Sequence, residues 1–212
     1  MTDQGKQRLK RIAVFASHNG SDLQAIIDAC QSGRIAAEVC VVISNNGDAK
    51  ALERARDAGI SARHISAKAC GSLEEAEQRT LEILAYHQPD ILFLAGYLKK
   101  LAPSILSRYD GRIFNIHPAL LPKYGGQGMY GAHVHQAVIA AGEKESGISI
   151  HRVSDRYDEG EVVAQTRVAV EAGDTAETLA ARILEREHVF IVEVLRDIVE
   201  GKIPTGPEAL AD

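Results

Sequence analysis

The sequence predicts an α/β fold: one doubly wound, mostly parallel sheet with an antiparallel strand pair near the C-terminal end and a long closing helix. Three observations predict it. Short apolar runs rich in β-branched residues alternate with helical segments along the chain. The run DILFLAG (90–96) is entirely apolar after Asp90, as expected of a strand covered on both faces. The last two strand-like runs are joined by so short a polar link that they pair antiparallel.

In order, RIAVFAS (11–17) and EVCVVIS (38–44) read as strands, with the helical pattern SDLQAIIDACQSG between them, a βαβ unit. A second helix over Ala49 to Ala58 ends at Gly59, and ARHIS follows as a third strand. Leu73 to His87 is a longer helix with Leu73, Ala76 and Leu84 on its apolar side. DILFLAG is the fourth strand and RIFNIHP the fifth. After a glycine-rich passage, Gly131 to Ala141 is helical. GISIHRVS and EVVAQTRVAV form the antiparallel pair, and Thr175 to Val199 closes the fold. This is one Rossmann-like domain over 11–203, with a flexible, basic N-terminal tail at 1–10 and a peripheral C-terminal tail at 204–212.

Composition sets the class of partner. The chain has 212 residues, 45% hydrophobic and 25% charged, with a net charge of −5, so it lacks the basic excess that broad nucleic-acid or anionic-membrane binding needs. Cys30, Cys40 and Cys70 lie in or beside hydrophobic segments without metal-ligand spacing, as reduced thiols do. Residues 1–11 carry Lys6, Arg8, Lys10 and Arg11 with no signal-length apolar run behind them, so a cytoplasmic location is expected.

In a doubly wound sheet, ligands bind outside the carboxyl ends of the strands. Three loops converge there: Ser17 to Asp22, Gly96 to Leu101, and Asn115 to Tyr124. In the last, GRIFNIHPALLP sets Asn115 and His117 two residues apart on an extended chain, hence on one face. A neutral amide donor beside a group that titrates near neutrality suits acyl transfer to an amine: one steadies the oxyanion, the other handles the proton. A hydrogen-bonded structural histidine is the plainer alternative. The loop SDRYDEG offers Asp155, Asp158 and Glu159 as carboxylate partners for His117.

SHNGSD has one glycine, Gly20, with Ser21 at the helix start, where free N–H groups can seat a phosphate or simply be capped. It is neither the G-x-G-x-x-G fingerprint nor a Walker loop. His133 and His135 do not share a helical face, so no metal is expected. His151 faces either crevice or solvent, and Lys99 and Lys100 either attract an acidic ligand or cover a surface.

GRIFNIHPALLPKYGG, with VFASHNGSDLQAIIDAC, ILFLAGYLKKLAP and HRVSDRYDEGEVVAQ, resembles the glycinamide ribonucleotide transformylases of the folate-dependent formyltransferase superfamily, from about Arg11 to Ile198. The resemblance implies transfer of a formyl group from 10-formyltetrahydrofolate to the amine of 5-phosphoribosylglycinamide, by a monomer or homodimer without a metal. It implies that Asn115 bonds the formyl oxygen, His117 is general acid or base, and Asp158 raises and orients the imidazole. Gly20, Ser21 and Asp22 would hold the phosphate and Glu187 the amine or ribose. Leu98, Lys99, Lys100, Leu101 and Asn115 would line the folate pocket, with the Ser154 to Asp158 loop closing over the pterin. Departures from the pattern are His18 and Asp22 in the first loop, Leu73 in place of an arginine, and Leu184 on the last helix. A carboxylate at 22 is unfavourable beside a phosphate unless it turns away. GGQGMYGAHVH is longer than the common version, and its glycines suit either a mobile flap or a rigid loop with positive φ. The alternatives are a formyltransferase acting on an amino sugar, a formyltetrahydrofolate hydrolase, or a non-catalytic nucleotide- or folate-binding module.

Overall fold

The computed structural model describes residues 8–206. Seven strands form one sheet: β1 (Lys10–Phe15), β2 (Ala37–Ser44), β3 (Ser61–His64), β4 (Ile91–Leu94), β5 (Ile113–His117), β6 (Glu145–Arg152) and β7 (Val162–Ala169). Their order is β3-β2-β1-β4-β5-β6-β7. All pairings from β3 to β5 are parallel, and β6 runs antiparallel to both β5 and β7. The expected antiparallel pair is therefore one reversed strand between two neighbours.

Helices cover both faces because each presents an apolar stripe at helical period. On one face α1 (Ser21–Gln31), α2 (Lys50–Asp57), α6 (Ala132–Ala140) and α7 (Ala176–Val199) pack against Val14, Phe93, Phe114 and Ile150. On the other, α4 (Leu73–His87) and α5 (Pro103–Arg108) bury Ile83, Leu84 and Ile105 against Phe15, Val41 and Leu92. The one-turn α3 (Ala67–Cys70), capped by Ser66, and α5, opened by Pro103, are two short helices that the periodic reading passes over. One expectation is corrected. Leu73 is 74% exposed rather than on the apolar side of α4, whose buried residues are Thr80, Ile83 and Leu84. As the first residue after the Ser72 N-cap, Leu73 lies where the helix has only begun to reach the sheet.

The long closing helix starts where its sequence says it should. Thr175 caps it, and Thr178 returns a bond to the Thr175 N–H, a reciprocal capping box. Its length carries Glu187 and His188 alongside α1.

The ends of the domain are tied in. β1 begins at Lys10, one residue inside the segment assigned to a tail; residues 1–7 and 207–212 lie outside the described residues. At the other end Pro204 O accepts from Arg152 Nη2 at 2.9 Å, and Gly206 N donates to Gly111 O at 3.1 Å. Arg152 is buried and also donates to Gly111 O (2.9 Å) and Glu161 (2.7 Å). Among the described residues, no helix is long and apolar enough to cross a membrane. Burial pushes the Cys30 and Cys40 thiols up to about 11, so both behave as small hydrophobes rather than nucleophiles.

Ser149, fully buried at the centre of β6, fixes the loop after β5. Its hydroxyl donates to Ala119 O at 2.6 Å and accepts from Leu121 N at 3.0 Å and Gln165 Nε2 at 2.8 Å. Replacing Ser149 with alanine orphans the Leu121 N–H, which is expected to cost about 1–3 kcal/mol in a denaturant titration. A loss under about 0.5 kcal/mol would mean that this network is not what holds the loop.

Candidate active site

The sheet order reverses direction between β1 and β4, which opens a crevice at their carboxyl ends. Ser17 N donates to Gly96 O at 3.1 Å, and Ser17 Oγ accepts from Leu98 N at 2.9 Å, so the first two loops are stitched together. A cavity of about 750 Å³ lies beyond them. Its wall includes Asp22, Leu98, Asn115, His117, Asp158 and Glu187, which brings the three expected loops and the last helix onto one space.

Asn115 and His117 share a face of β5 and sit opposite His151 and Ser149 of β6. His117 is buried, and its Nε2 lies 2.7 Å from Tyr124 O. A carbonyl only accepts, so Nε2 carries a hydrogen and the neutral ring keeps its lone pair on Nδ1. That Nδ1 is 3.6 Å from Asp158 Oδ2. Burial pushes the His117 imidazole below its ordinary value, and the nearby His151 adds to that; the Asp158 carboxylate and the Tyr124 carbonyl oppose it. The expected upward influence of Asp158 is present, but burial outweighs it. His117 is thus held as the free base, with a carboxylate waiting for the imidazolium.

Asp158 is the carboxylate that reaches the ring, out of the three in its loop. Its Oδ2 accepts from Gly126 N at 3.0 Å, while Oδ1 lies 3.4 Å from His151 Nε2. Burial works to raise its carboxyl, but the neighbouring His151 and His117 rings and the bond from Gly126 N outweigh it and hold the group below the usual carboxylate range. Tyr124 and Asp158, the two residues that flank the His117 ring, both have left-handed backbone (φ 58° and 57°). Strain of that kind collects where the surrounding structure must aim a group.

His151, which the sequence leaves undecided, faces the cavity residues. Its Nδ1 donates to Arg152 O at 2.8 Å, so Nε2 is free to accept from Asn115 Nδ2 at 3.0 Å. This fixes the Asn115 amide with one hydrogen on His151. The second is held only by a contact of 3.5 Å to Asp158. A signal existed: Ser149 and His151 alternate with Ile148 and Ile150, giving two kinds of buried face on one strand.

The glycine-rich passage after β5 forms a wall of the cavity. Gly126, Gly128 and Gly131 have positive φ, which suits the rigid-loop alternative. At Gly125 a Cβ would clash with Leu121 Cδ2 and meet Asp158 Cβ at 3.2 Å, so this position lets the loop pass against the carboxylate. His135 is buried against the cavity; His133 is exposed and packs edge-on to Tyr130.

A smaller pocket of about 70 Å³ adjoins through Tyr97, Asn115, Tyr157 and Asp158. Lys99, Lys100 and Leu101 line it with Ser154 and Arg156, while Leu98 faces the larger cavity. Lys100 Nζ sits 5.8 Å from the Tyr157 ring centre, a cation held on the loop that carries Asp158.

The first loop divides. Gly20 adopts φ 70° with its Cα turned against Ala51, where a Cβ would approach to 2.8 Å. Ser21 lines a separate hollow between α1 and α7, and Asp22, one residue on, faces the cavity. Glu187 is 8% exposed in the same wall.

The sequence matches the formyl transferase family over residues 10–195. The chain belongs to that family. Phosphoribosylglycinamide formyltransferase from Escherichia coli (strain K12) is 41% identical over 192 residues, covering 91% of this chain and 88% of the relative. The crystal structure of glycinamide ribonucleotide transformylase 1 from Symbiobacterium toebii superposes with a TM-score of 0.86 at 36% identity, covering 96% of each chain. A formyltetrahydrofolate deformylase from Pseudomonas syringae has a TM-score of 0.83 at 23% identity, covering 94% of this chain and 64% of that one, which is likeness of fold. The formyl transferase match spans β1 to most of α7, so both the strand tips and the helix bearing Glu187 lie within it.

Proposed function

We infer that the protein transfers the formyl group of 10-formyltetrahydrofolate to the primary amine of 5-phosphoribosylglycinamide, a step of purine biosynthesis. The observation that carries this reading is the convergence of Asn115, His117 and Asp158 on one cavity, in a chain 41% identical to a phosphoribosylglycinamide formyltransferase.

The substrate amine attacks the formyl carbon, and negative charge grows on the formyl oxygen. Asn115 meets it with the Nδ2 hydrogen that His151 does not use. The amine nitrogen becomes cationic as the bond forms, and His117 Nδ1 takes its proton; Asp158 stabilises the imidazolium. Collapse of the tetrahedral species breaks the bond to the folate nitrogen, which leaves with the proton that His117 returns. Tetrahydrofolate and the formylated amide are the products, and the balance needs no metal or redox partner.

Glu187 would contact the amine or ribose, and the N-terminus of α1 would take the phosphate through the N–H groups of Ser21 and Asp22. Lys99, Lys100 and Leu101 would line the folate side with the Ser154 to Asp158 loop. A cytoplasmic monomer or homodimer fits this reading.

Initial rates of tetrahydrofolate formation from 10-formyltetrahydrofolate, with and without 5-phosphoribosylglycinamide, test it. Turnover is expected only with both substrates. Release of tetrahydrofolate without the nucleotide would instead make the protein a hydrolase, and turnover only with amino sugars would move the acceptor.

A further inference from the structure

Asp22 and Glu187 form an unusual piece of the cavity wall. Glu187 is 8% exposed, and among the described residues its carboxylate meets no hydrogen-bond donor or cation. Asp22 Oδ1 is buried without a hydrogen-bond partner. Among the described residues its one basic neighbour within 4 Å is His188, whose Nε2 is 3.7 Å away, too far for a hydrogen bond, and is itself buried and unpartnered. The remaining charged groups nearby are engaged or lie elsewhere on the cavity. Arg54 on α2 is turned to Asn19 O and Gln24 Oε1, Asp28 further along α1 is held by Gln24, and His117 and His135 approach from β5 and α6.

Asp22 also stands in the first turn of α1, where the first helical N–H to find a carbonyl is that of Gln24, bonded to Gly20 O at 3.0 Å. The N–H groups of Ser21, Asp22 and Leu23 therefore precede that bond and are free to face an anion. A phosphate dianion seated there adds two negative charges beside a carboxylate that burial already disfavours. Burial raises the Asp22 carboxyl against a smaller opposing effect of His188, and burial together with Asp22 raises that of Glu187 well above its ordinary value.

We propose that Asp22 enters the substrate complex as the neutral acid, so that a phosphate ester at the N-terminus of α1 binds together with one proton and receives a hydrogen bond from the Asp22 carboxyl. This rests on the phosphoribosyl reading of the same site. The proton comes from solvent and no covalent bond of the ligand changes. His188 then serves the other Asp22 oxygen, since a shift of about 0.8 Å brings its Nε2 to hydrogen-bond distance. Nucleotide affinity of the native protein consequently falls as pH rises, by up to about tenfold per unit once free Asp22 is ionised. An amide at position 22 donates at every pH and removes that dependence.

Calorimetric titration of 5-phosphoribosylglycinamide at pH 8, in two buffers of different ionisation enthalpy, counts the protons directly. The comparison is the native protein against Asp22→Asn, with Asp22→Ser as a second uncharged side chain suited to a first helical turn. At this pH a phosphate monoester is already the dianion, because its second pKa is about 6, and the ligand's amine contributes equally to each protein. The native protein is expected to take up about one proton more per ligand than either variant. Both variants should bind tighter than native at pH 8, with a difference that shrinks by up to about tenfold per unit as pH falls. Equal proton counts and parallel pH profiles in native and variant proteins overturn the proposal. Inorganic phosphate is titrated beside the nucleotide. A proton difference seen with phosphate while the nucleotide does not bind supports the linkage and rejects the nucleotide assignment; absence of binding by both overturns the site.

Discussion

Replacing His117 with alanine is expected to lower turnover by about two to four orders of magnitude, the usual loss for a general acid or base. The ring has one nitrogen tied to Tyr124 O at 2.7 Å and the other directed at Asp158, so no other side chain in the cavity holds an imidazole lone pair in that place. His151 cannot substitute, because its Nδ1 is committed to Arg152 O and its Nε2 to Asn115. The variant leaves the Tyr124 carbonyl without a donor at a cost of about 1–3 kcal/mol, which a fold of this size absorbs. Rates are compared once circular dichroism has established native secondary structure. Near-native turnover from that folded protein would remove His117 from the chemistry.

The second large effect is expected from Asp158→Asn, at about a hundredfold in kcat, the scale of losing one preorganised electrostatic partner. Asparagine keeps the shape, and its amide oxygen still accepts from Gly126 N, so the loop stays in place. What is lost is the charge. Asp158 is the foremost influence raising His117 against burial, so its removal lets the imidazole titrate lower still. In the proposed reaction the ring starts neutral; the acid limb of kcat/KM, where that ring protonates, is therefore expected to move to lower pH. The plateau falls at the same time because the imidazolium formed in the transition state has lost its counter-charge. A pH–rate profile with its limb unmoved would show that the Asp158 charge does not govern protonation of His117.

Much of this architecture is local and therefore legible. Strand runs and helices such as Leu73 to His87 announce themselves by period and caps, and Asn115 and His117 show their common face by a spacing of two. What is not legible depends on long-range pairing. His151 looks like a residue on a half-exposed strand until β7 pairs outside β6 and makes β6 interior; only then is a polar residue on either face forced inward. The Tyr124 contact to His117 is made by a backbone carbonyl, which carries no side-chain signature. The separation of Ser21 from Asp22 follows from the rotation of about 100° between consecutive helical residues, but which side meets the cavity is set by α7 packing on α1.

Arg152 carries a further consequence. It neighbours His151 on β6, is almost wholly enclosed, and spends its guanidinium on the carbonyls of Gly111, before β5, and Pro204, near the end of the described chain. Fraying of the chain at Pro204 is therefore not an independent event. It strips a desolvated cation of a partner one residue from the group that orients Asn115, so the opening free energy of that segment is shared with β5 and β6. By reciprocity, a ligand that steadies Asn115 and His151 also suppresses exchange around Pro204, and that segment reports on occupancy of a cavity that it does not touch.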